Sequence, residues 1–181
     1  MNLPNKITMA RIIMIPFFII ALLVNFPFHE PIAVVIFIVA SASDAVDGHL
    51  ARSRNLITDF GKFMDPLADK LLTCSAFICL VELQMIPSWV VIIIIAREFA
   101  IPGLRPLAAS DGIVIAASKW GKAKTISQMI AIIALLLVNW PVMAFPALLL
   151  FGNIMVYVAL ALTLISGIDY FRLNKGVFRS M

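Results

Sequence analysis

Asp44-Ala45-Val46-Asp47-Gly48-His49-Leu50-Ala51-Arg52, then eight residues, then Gly61-Lys62-Phe63-Met64-Asp65-Pro66-Leu67-Ala68-Asp69: how this stretch is read decides the fold. Four aspartates stand here inside otherwise apolar sequence. An aspartate at the centre of a membrane-spanning helix costs about 2.5–3.5 kcal/mol, so such groups mark function unless they are solvated at a helix end. A solvated end suits Asp59 in the joint. It suits the four poorly, because apolar sequence continues beyond them. Asp44 and Asp47 are three apart, and Asp65 and Asp69 are four apart, so each pair shares one face of a helix.

The surroundings explain why a membrane is invoked. Of 181 residues, 62% are hydrophobic and only 13% charged, against about 25% charged in a soluble domain. The chain cannot cover itself with polar groups. That excludes a soluble enzyme, a disordered segment and a polar repeat solenoid. Six stretches are long enough to span a bilayer, which takes about 20 apolar residues: roughly 7–25, 31–53, 62–82, 87–108, 120–140 and 145–170. Together they occupy most of the chain, so residues 1–181 read as one transmembrane domain. The expected fold is an all-α integral membrane protein with six transmembrane helices. Asn25-Phe26-Pro27-Phe28 after the first stretch holds no small-x-small cleavage site, so that stretch is expected to remain as a helix. Proline removes a helix hydrogen bond, so a bend is expected at Pro102-Gly103.

Charge sets the orientation. All 14 lysines and arginines fall at the N-terminus, the second and fourth joints and the C-terminus. The first, third and fifth joints hold only His29, Glu30 and Glu82 as ionisable groups. By the positive-inside rule both termini and the aspartates lie on the cytoplasmic side. Trp89 and Trp140 then sit at the outer interface and Trp120 near the inner one. The net charge of +4 is dispersed between apolar runs and forms no solvated stripe, so no nucleic acid is expected as partner. Cys74 and Cys79 lie on different sides of one helix and read as packing residues. Glu30, Glu82, Asp59 and Asp111 read as loop charges, and Arg172, Lys175 and Arg179 as an inner-surface anchor.

The two acidic segments form an antiparallel hairpin. At 1.5 Å per residue, Asp47 and Asp69 each rise about 12 Å from the turn, so the pairs reach similar depth. Four carboxylates at one level repel unless cations lie between them. Hard oxygen donors select Mg²⁺, Mn²⁺ or Ca²⁺ over zinc. Two divalent ions balance four negative charges, and paired metals suit in-line displacement at phosphorus. Gly48, Ala51 and Gly61 supply small surfaces for a ligand; helix–helix packing is the other reading of such residues.

The spacing D-x-x-D-G-x-x-A-R-x8-G-x3-D-x3-D resembles the signature of the CDP-alcohol phosphatidyltransferases, and all eight fixed positions match. Further stretches are similar to bacterial phosphatidylglycerophosphate synthases: Pro4-Asn5-Lys6-Ile7-Thr8-Met9-Ala10-Arg11, Asp65 through Lys70, Ile95-Ala96-Arg97-Glu98-Phe99 with Gly103-Leu104-Arg105, and Gly121-Lys122-Ala123-Lys124-Thr125. The resemblance implies a six-helix homodimer in the bacterial cytoplasmic membrane, its active site open to the cytoplasm. It implies that Asp44, Asp47, Asp65 and Asp69 hold two divalent cations, Mg²⁺ or Mn²⁺. It also implies that CDP-diacylglycerol lies against Asp47, Gly48, Ala51, Arg52, Gly61 and Asp65. The reaction implied is attack by an alcohol on the phosphatidyl phosphorus, CMP leaving, with Asp69 as base. A covalent phosphatidyl-enzyme at His49 is the competing mechanism.

For the acceptor, a phosphorylated alcohol needs fixed cations, and Arg97, Arg105, Lys119, Lys122 and Lys124 supply them. Anionic lipid headgroups are the other reading of the three lysines. Arg97, some ten residues into its segment, needs an anionic partner, and its sequence neighbour Glu98 is expected to face elsewhere. With the resemblance added, sn-glycerol 3-phosphate is the expected acceptor, bound by Thr8, Arg11, Arg97, Arg105, Lys122 and Lys124. Thr8 and Arg11 read equally as a lipid-headgroup anchor. The alternatives are another alcohol acceptor (inositol phosphate, serine or phosphatidylglycerol) and, from a different class, a small ion-coupled transporter. A transporter should show a polar trail across the membrane, and no acid continues toward the outer face.

Overall fold

The computed structural model describes residues 2–53, 58–110 and 119–173; side chains are described except at 45–53, 59, 62, 105–110, 119 and 173. These residues form six α-helices, with no strand among them: α1 Leu3–Leu23, α2 His29–Ser53, α3 Asp59–Glu82, α4 Ser88–Ser110, α5 Lys119–Asn139 and α6 Pro146–Leu173. A single 3-10 turn, Pro141–Met143, joins α5 to α6. The all-α expectation and the six segments hold, each helix within a few residues of its predicted bounds. α1, α5 and α6 are long and apolar enough to cross a membrane by length and composition.

Local signals set the helix ends. Asn2 caps α1 by accepting the Asn5 N–H at 3.1 Å, and Thr58 caps α3 by accepting the Gly61 N–H at 3.0 Å; both side chains satisfy otherwise orphaned donors. α3 ends in a Schellman closure. The Met85 N–H donates to the Leu80 carbonyl and the Gln84 N–H to the Val81 carbonyl, each at 2.9 Å. Gln84 consequently takes a left-handed backbone with φ 57°. Pro102 and Gly103 do not break α4, which runs on to Ser110. A Cβ at Gly103 would meet nothing within 4 Å, so the helix is open on that side.

α1 packs on α2 and α3, and α5 packs along α6. One buried stripe on α1 runs through Thr8, Arg11, Ile15, Phe18 and Leu22, the three-and-four spacing of a helix face turned inward. Its apolar part joins Phe37, Leu72, Phe77, Leu80, Ile94, Ile132 and Leu135 in a shared core. The outside is also apolar: Phe17, Ile20, Val35, Val39, Ile92, Ile126, Leu150 and Ile168 are exposed. Water would penalise such a surface and lipid does not. This is the surface of a membrane protein. Cys74 and Cys79 are free and buried, as expected.

Candidate active site

The polar end of the α1 stripe meets the aspartates. Thr8, fully buried, donates from Oγ1 to Asp65 Oδ1 at 2.6 Å. The same hydroxyl lies 3.2 Å from the Pro4 carbonyl, and the shorter, charge-assisted contact takes its one proton. One turn further on, Arg11 donates from Nη1 to Asp44 Oδ1 at 2.6 Å and from Nε to Ser43 Oγ at 3.2 Å. The Arg11 side chain has no exposed surface, whereas that of Asp44 is 46% exposed. Neither Thr8 nor Arg11 is therefore a lipid-headgroup anchor. Both face inward and orient carboxylates.

This geometry does part of what the sequence required. Thr8 and Arg11 share a face of α1, with Cβ atoms about 5–6 Å apart at that spacing. They bring Asp65 of α3 and Asp44 of α2 toward the same place. Asp69 follows Asp65 by one turn, and Lys70 Nζ lies 3.1 Å from its Oδ2. Each described contact occupies one oxygen of its carboxylate. Pro66 lies inside α3 and cannot donate to the carbonyl four residues earlier. Among the described residues, no three of His, Cys, Asp or Glu form an ion cage by themselves. The side chain of Asp47, fourth of the quartet, lies outside the described set, as do those of Ala51, Arg52 and Arg105 and the surroundings of Gly48. Asp111, Lys175 and Arg179 also lie outside it.

Gly61 has a reason of its own. A Cβ there would stand 3.0 Å from Asn5 Oδ1, 3.3 Å from Thr58 Oγ1 and 3.6 Å from Asp65 Oδ2. Thr58 Oγ1 donates to Asn5 Oδ1 at 3.1 Å. α1 and the start of α3 approach each other closely at this glycine.

A second polar centre lies beside Asp69. Glu98 of α4 is 2% exposed. Its Oε1 accepts from Lys124 Nζ of α5 and, at 3.5 Å, from Gln128 Nε2. Its Oε2 lies 2.7 Å from Lys70 Nζ. Arg97 Nη1 reaches to 3.6 Å of Glu98 Oε1, which corrects the expectation that these sequence neighbours face apart: adjacent residues diverge at Cβ, but a guanidinium on a long stem swings back. A Cβ on Gly167 of α6 would lie 3.7 Å from Arg97 Cγ, and one on Gly121 of α5 would lie 3.9 Å from Arg97 Nη2. Lys124 is buried and Lys122 exposed.

Four site residues were not singled out from sequence: Asn5, Thr58, Lys70 and Glu98. The last two carried a signal. An acid and a lysine in apolar segments fall under the same reasoning that singled out the aspartates. Asn5 and Thr58 act through caps and contacts that spacing does not reveal.

The six helices bring Asp44 of α2 and Asp65 of α3 onto one buried face of α1. The family model for CDP-alcohol phosphatidyltransferase matches residues 1–165, and the chain belongs to that family. It is 48% identical to the CDP-diacylglycerol–glycerol-3-phosphate 3-phosphatidyltransferase of Bacillus subtilis (strain 168) over 96% of this chain and 95% of that protein. It is 39% identical to the protein of the same name from Haemophilus influenzae over 97% and 94%, and 37% identical to that from Rickettsia felis over 98% and 97%.

Proposed function

We propose that this chain transfers the phosphatidyl group of CDP-diacylglycerol to sn-glycerol 3-phosphate, giving phosphatidylglycerol phosphate and CMP. The observation that carries the reading is similarity, at 37–48% identity over nearly the whole chain, to relatives of that name, joined to carboxylates that α1 contacts. The enzyme works as a six-span homodimer in the bacterial cytoplasmic membrane, termini and site facing the cytoplasm. The positive-inside distribution supports that orientation.

Asp44, Asp47, Asp65 and Asp69 are the residues that would hold two divalent cations, Mg²⁺ or Mn²⁺. The donor set supports this: it is all carboxylate, and Thr8, Arg11 and Lys70 each engage one oxygen of their aspartate. Bound there, such ions neutralise the diphosphate and the charge on the departing phosphate. Asp47, Gly48, Ala51, Arg52, Gly61 and Asp65 form the CDP-diacylglycerol side. Asp69 accepts the proton of the acceptor hydroxyl. The hydroxyl oxygen bonds to the phosphatidyl phosphorus as the bond from that phosphorus to the CMP oxygen breaks, and CMP leaves with the electron pair. Arg97, Arg105, Lys122 and Lys124 form the basic side that favours a phosphorylated acceptor, and Thr8 and Arg11 border it.

Purified protein with CDP-diacylglycerol and Mg²⁺ or Mn²⁺ is offered glycerol 3-phosphate, inositol phosphate, serine and phosphatidylglycerol in turn, and CMP is measured. Release with glycerol 3-phosphate is expected; release with another acceptor alone rejects the assignment. Asp69→Asn abolishes turnover if Asp69 is the base.

A further inference from the structure

Lys70 stands between two carboxylates. Its Nζ lies 2.7 Å from Glu98 Oε2 on α4 and 3.1 Å from Asp69 Oδ2 on its own helix. Glu98 in turn is engaged through Oε1 by Lys124 of α5, with Gln128 Nε2 at 3.5 Å. The chain Lys124–Glu98–Lys70–Asp69 alternates in sign and joins α3, α4 and α5. Its exposure is graded. The side chains of Lys124 and Glu98 are each 2% exposed, and those of Lys70 and Asp69 are 20% and 22% exposed. One end is fixed in the interior. The other reaches the carboxylate that takes the proton in the proposed reaction.

The contact between Asp69 and Lys70 does not follow from helical spacing, because sequence neighbours on a helix do not face each other. Holding a lysine in one conformation costs about 1.5–2 kcal/mol, and an accessible pair with an aspartate rarely offsets that. Glu98 supplies what is missing. It is a buried anion, tied to α5 by Lys124, and it draws the Lys70 ammonium across α3 to the place where it meets Asp69. A carboxylate engaged on one oxygen by a fixed donor presents the other in a set direction.

We propose that Lys70, braced from behind by Glu98, is the positioning residue of Asp69: it holds Oδ2 so that the other oxygen stays turned toward the reacting groups. The inference rests on the proposed transfer reaction, with Asp69 as its base. It gives Glu98 and Lys124 an interior part, as the brace. A Lys70 that serves stability alone would change Tm and leave turnover by the folded enzyme as it was.

The test compares wild type, Lys70→Met and Lys70→Arg in detergent. Lys70→Met leaves Glu98 paired with Lys124, so it strands no buried charge. At saturating Mn²⁺, kcat and the KM of each substrate are measured; without substrates, Tm is followed as Mn²⁺ is added. Lys70→Met should lower kcat by about 10–100-fold, the effect of a small misplacement of a reacting group, with both KM values and the metal-free Tm little changed. Its rise of Tm with Mn²⁺ should be weaker than in wild type. Lys70→Arg spans the same two carboxylates and should recover both properties. Wild-type kcat in Lys70→Met, both KM values rising together, or no recovery in Lys70→Arg overturns the proposal. So does a stronger response to Mn²⁺ in Lys70→Met, which would mean that Lys70 competes with the ion for Asp69. Adding Glu98→Asp, which draws the carboxylate back, to Lys70→Met should lower kcat no further, because Glu98 acts through Lys70. A further fall, or loss of folding, gives Glu98 a part of its own and overturns the brace. Should Lys70→Met fail to fold, Lys70→Gln is read by the same criteria, and failure of both assigns Lys70 to stability and overturns the proposal. A wild-type enzyme that releases no CMP with glycerol 3-phosphate refutes the reaction itself, an outcome distinct from these.

Discussion

The Thr8 hydroxyl, on the first helix, donates to Asp65, on the third, at 2.6 Å. The residues are 57 apart in sequence, and Thr8 is wholly buried. A carboxylate that accepts a fixed hydrogen bond on one oxygen presents the other in a defined direction, which is how outer partners tune metal ligands. Thr8→Val keeps the volume and removes the donor. The expected result is a loss of about 10–100-fold in divalent-ion affinity, read as a weaker rise of Tm on titration with Mn²⁺. Thr8→Ser restores the rise. An unchanged Mn²⁺ titration in Thr8→Val would mean that the contact does not orient a ligand.

Gly61 makes a second prediction about the same junction. Its absent side chain leaves room for Asn5 Oδ1 at 3.0 Å and Thr58 Oγ1 at 3.3 Å. Gly61→Ala must displace Asn5 and disturb the cap on α3, at a cost of about 1–3 kcal/mol by overpacking. Tm in detergent should fall. Adding Asn5→Ala to Gly61→Ala removes the clashing oxygen and should recover part of the loss. A Tm for Gly61→Ala equal to wild type would show that Asn5 moves freely, contrary to its burial and its bond to Thr58.

Much of this was legible in the sequence, for a definite reason. Charges in an apolar chain are few, so each one carries information: the lone acids pointed to a candidate site and the basic residues to its expected side. Helix bounds followed from apolar length and from polar joints. What the sequence hid was pairing across helices. Thr8 and Arg11 read as either phosphate ligands or lipid anchors, because spacing places them on one face without saying what that face meets. Arg97 and Glu98 read as facing apart, because helical geometry constrains Cβ and not the tip of a long side chain. That Asn5 and Thr58 crowd Gly61 was also hidden, because a missing side chain looks the same whatever stands beside it.

The turn between α3 and α4 offers a stabilising substitution. Gln84 occupies the left-handed position of the Schellman closure with φ 57°, a conformation that glycine adopts without the Cβ penalty of about 1–2 kcal/mol. Gln84 is exposed, so little packing is lost on its removal. Gln84→Gly should raise Tm by about 2–4 °C, the shift that 1 kcal/mol gives in a chain of this size. Both KM values should stay unchanged, because the turn lies at the opposite end of α3 from Asp65. A lowered Tm would show that the glutamine side chain contributes more than its backbone costs.

Gly152 separates stability from catalysis at the other helix pair. A Cβ on this residue of α6 would lie 2.8 Å from Leu135 Cδ2 and 3.1 Å from Leu135 Cγ on α5, and Leu135 is fully buried in the shared core. Leu135 therefore has to shift within a filled space, at a cost of about 1–3 kcal/mol. Along α5, Leu135 is eleven residues from Lys124, about 16 Å at helical rise. The strain thus arises well away from the Glu98 cluster. Gly152→Ala should lower Tm while leaving both KM values at wild type below the new transition. Leu135→Val beside it removes the nearest clashing atom, the Cδ2 methyl, and should recover part of the stability, though not all, because it also gives up buried apolar volume. A rise in the acceptor KM in Gly152→Ala would show that α5 and α6 transmit strain to the basic side, and that the two halves of the bundle do not behave independently.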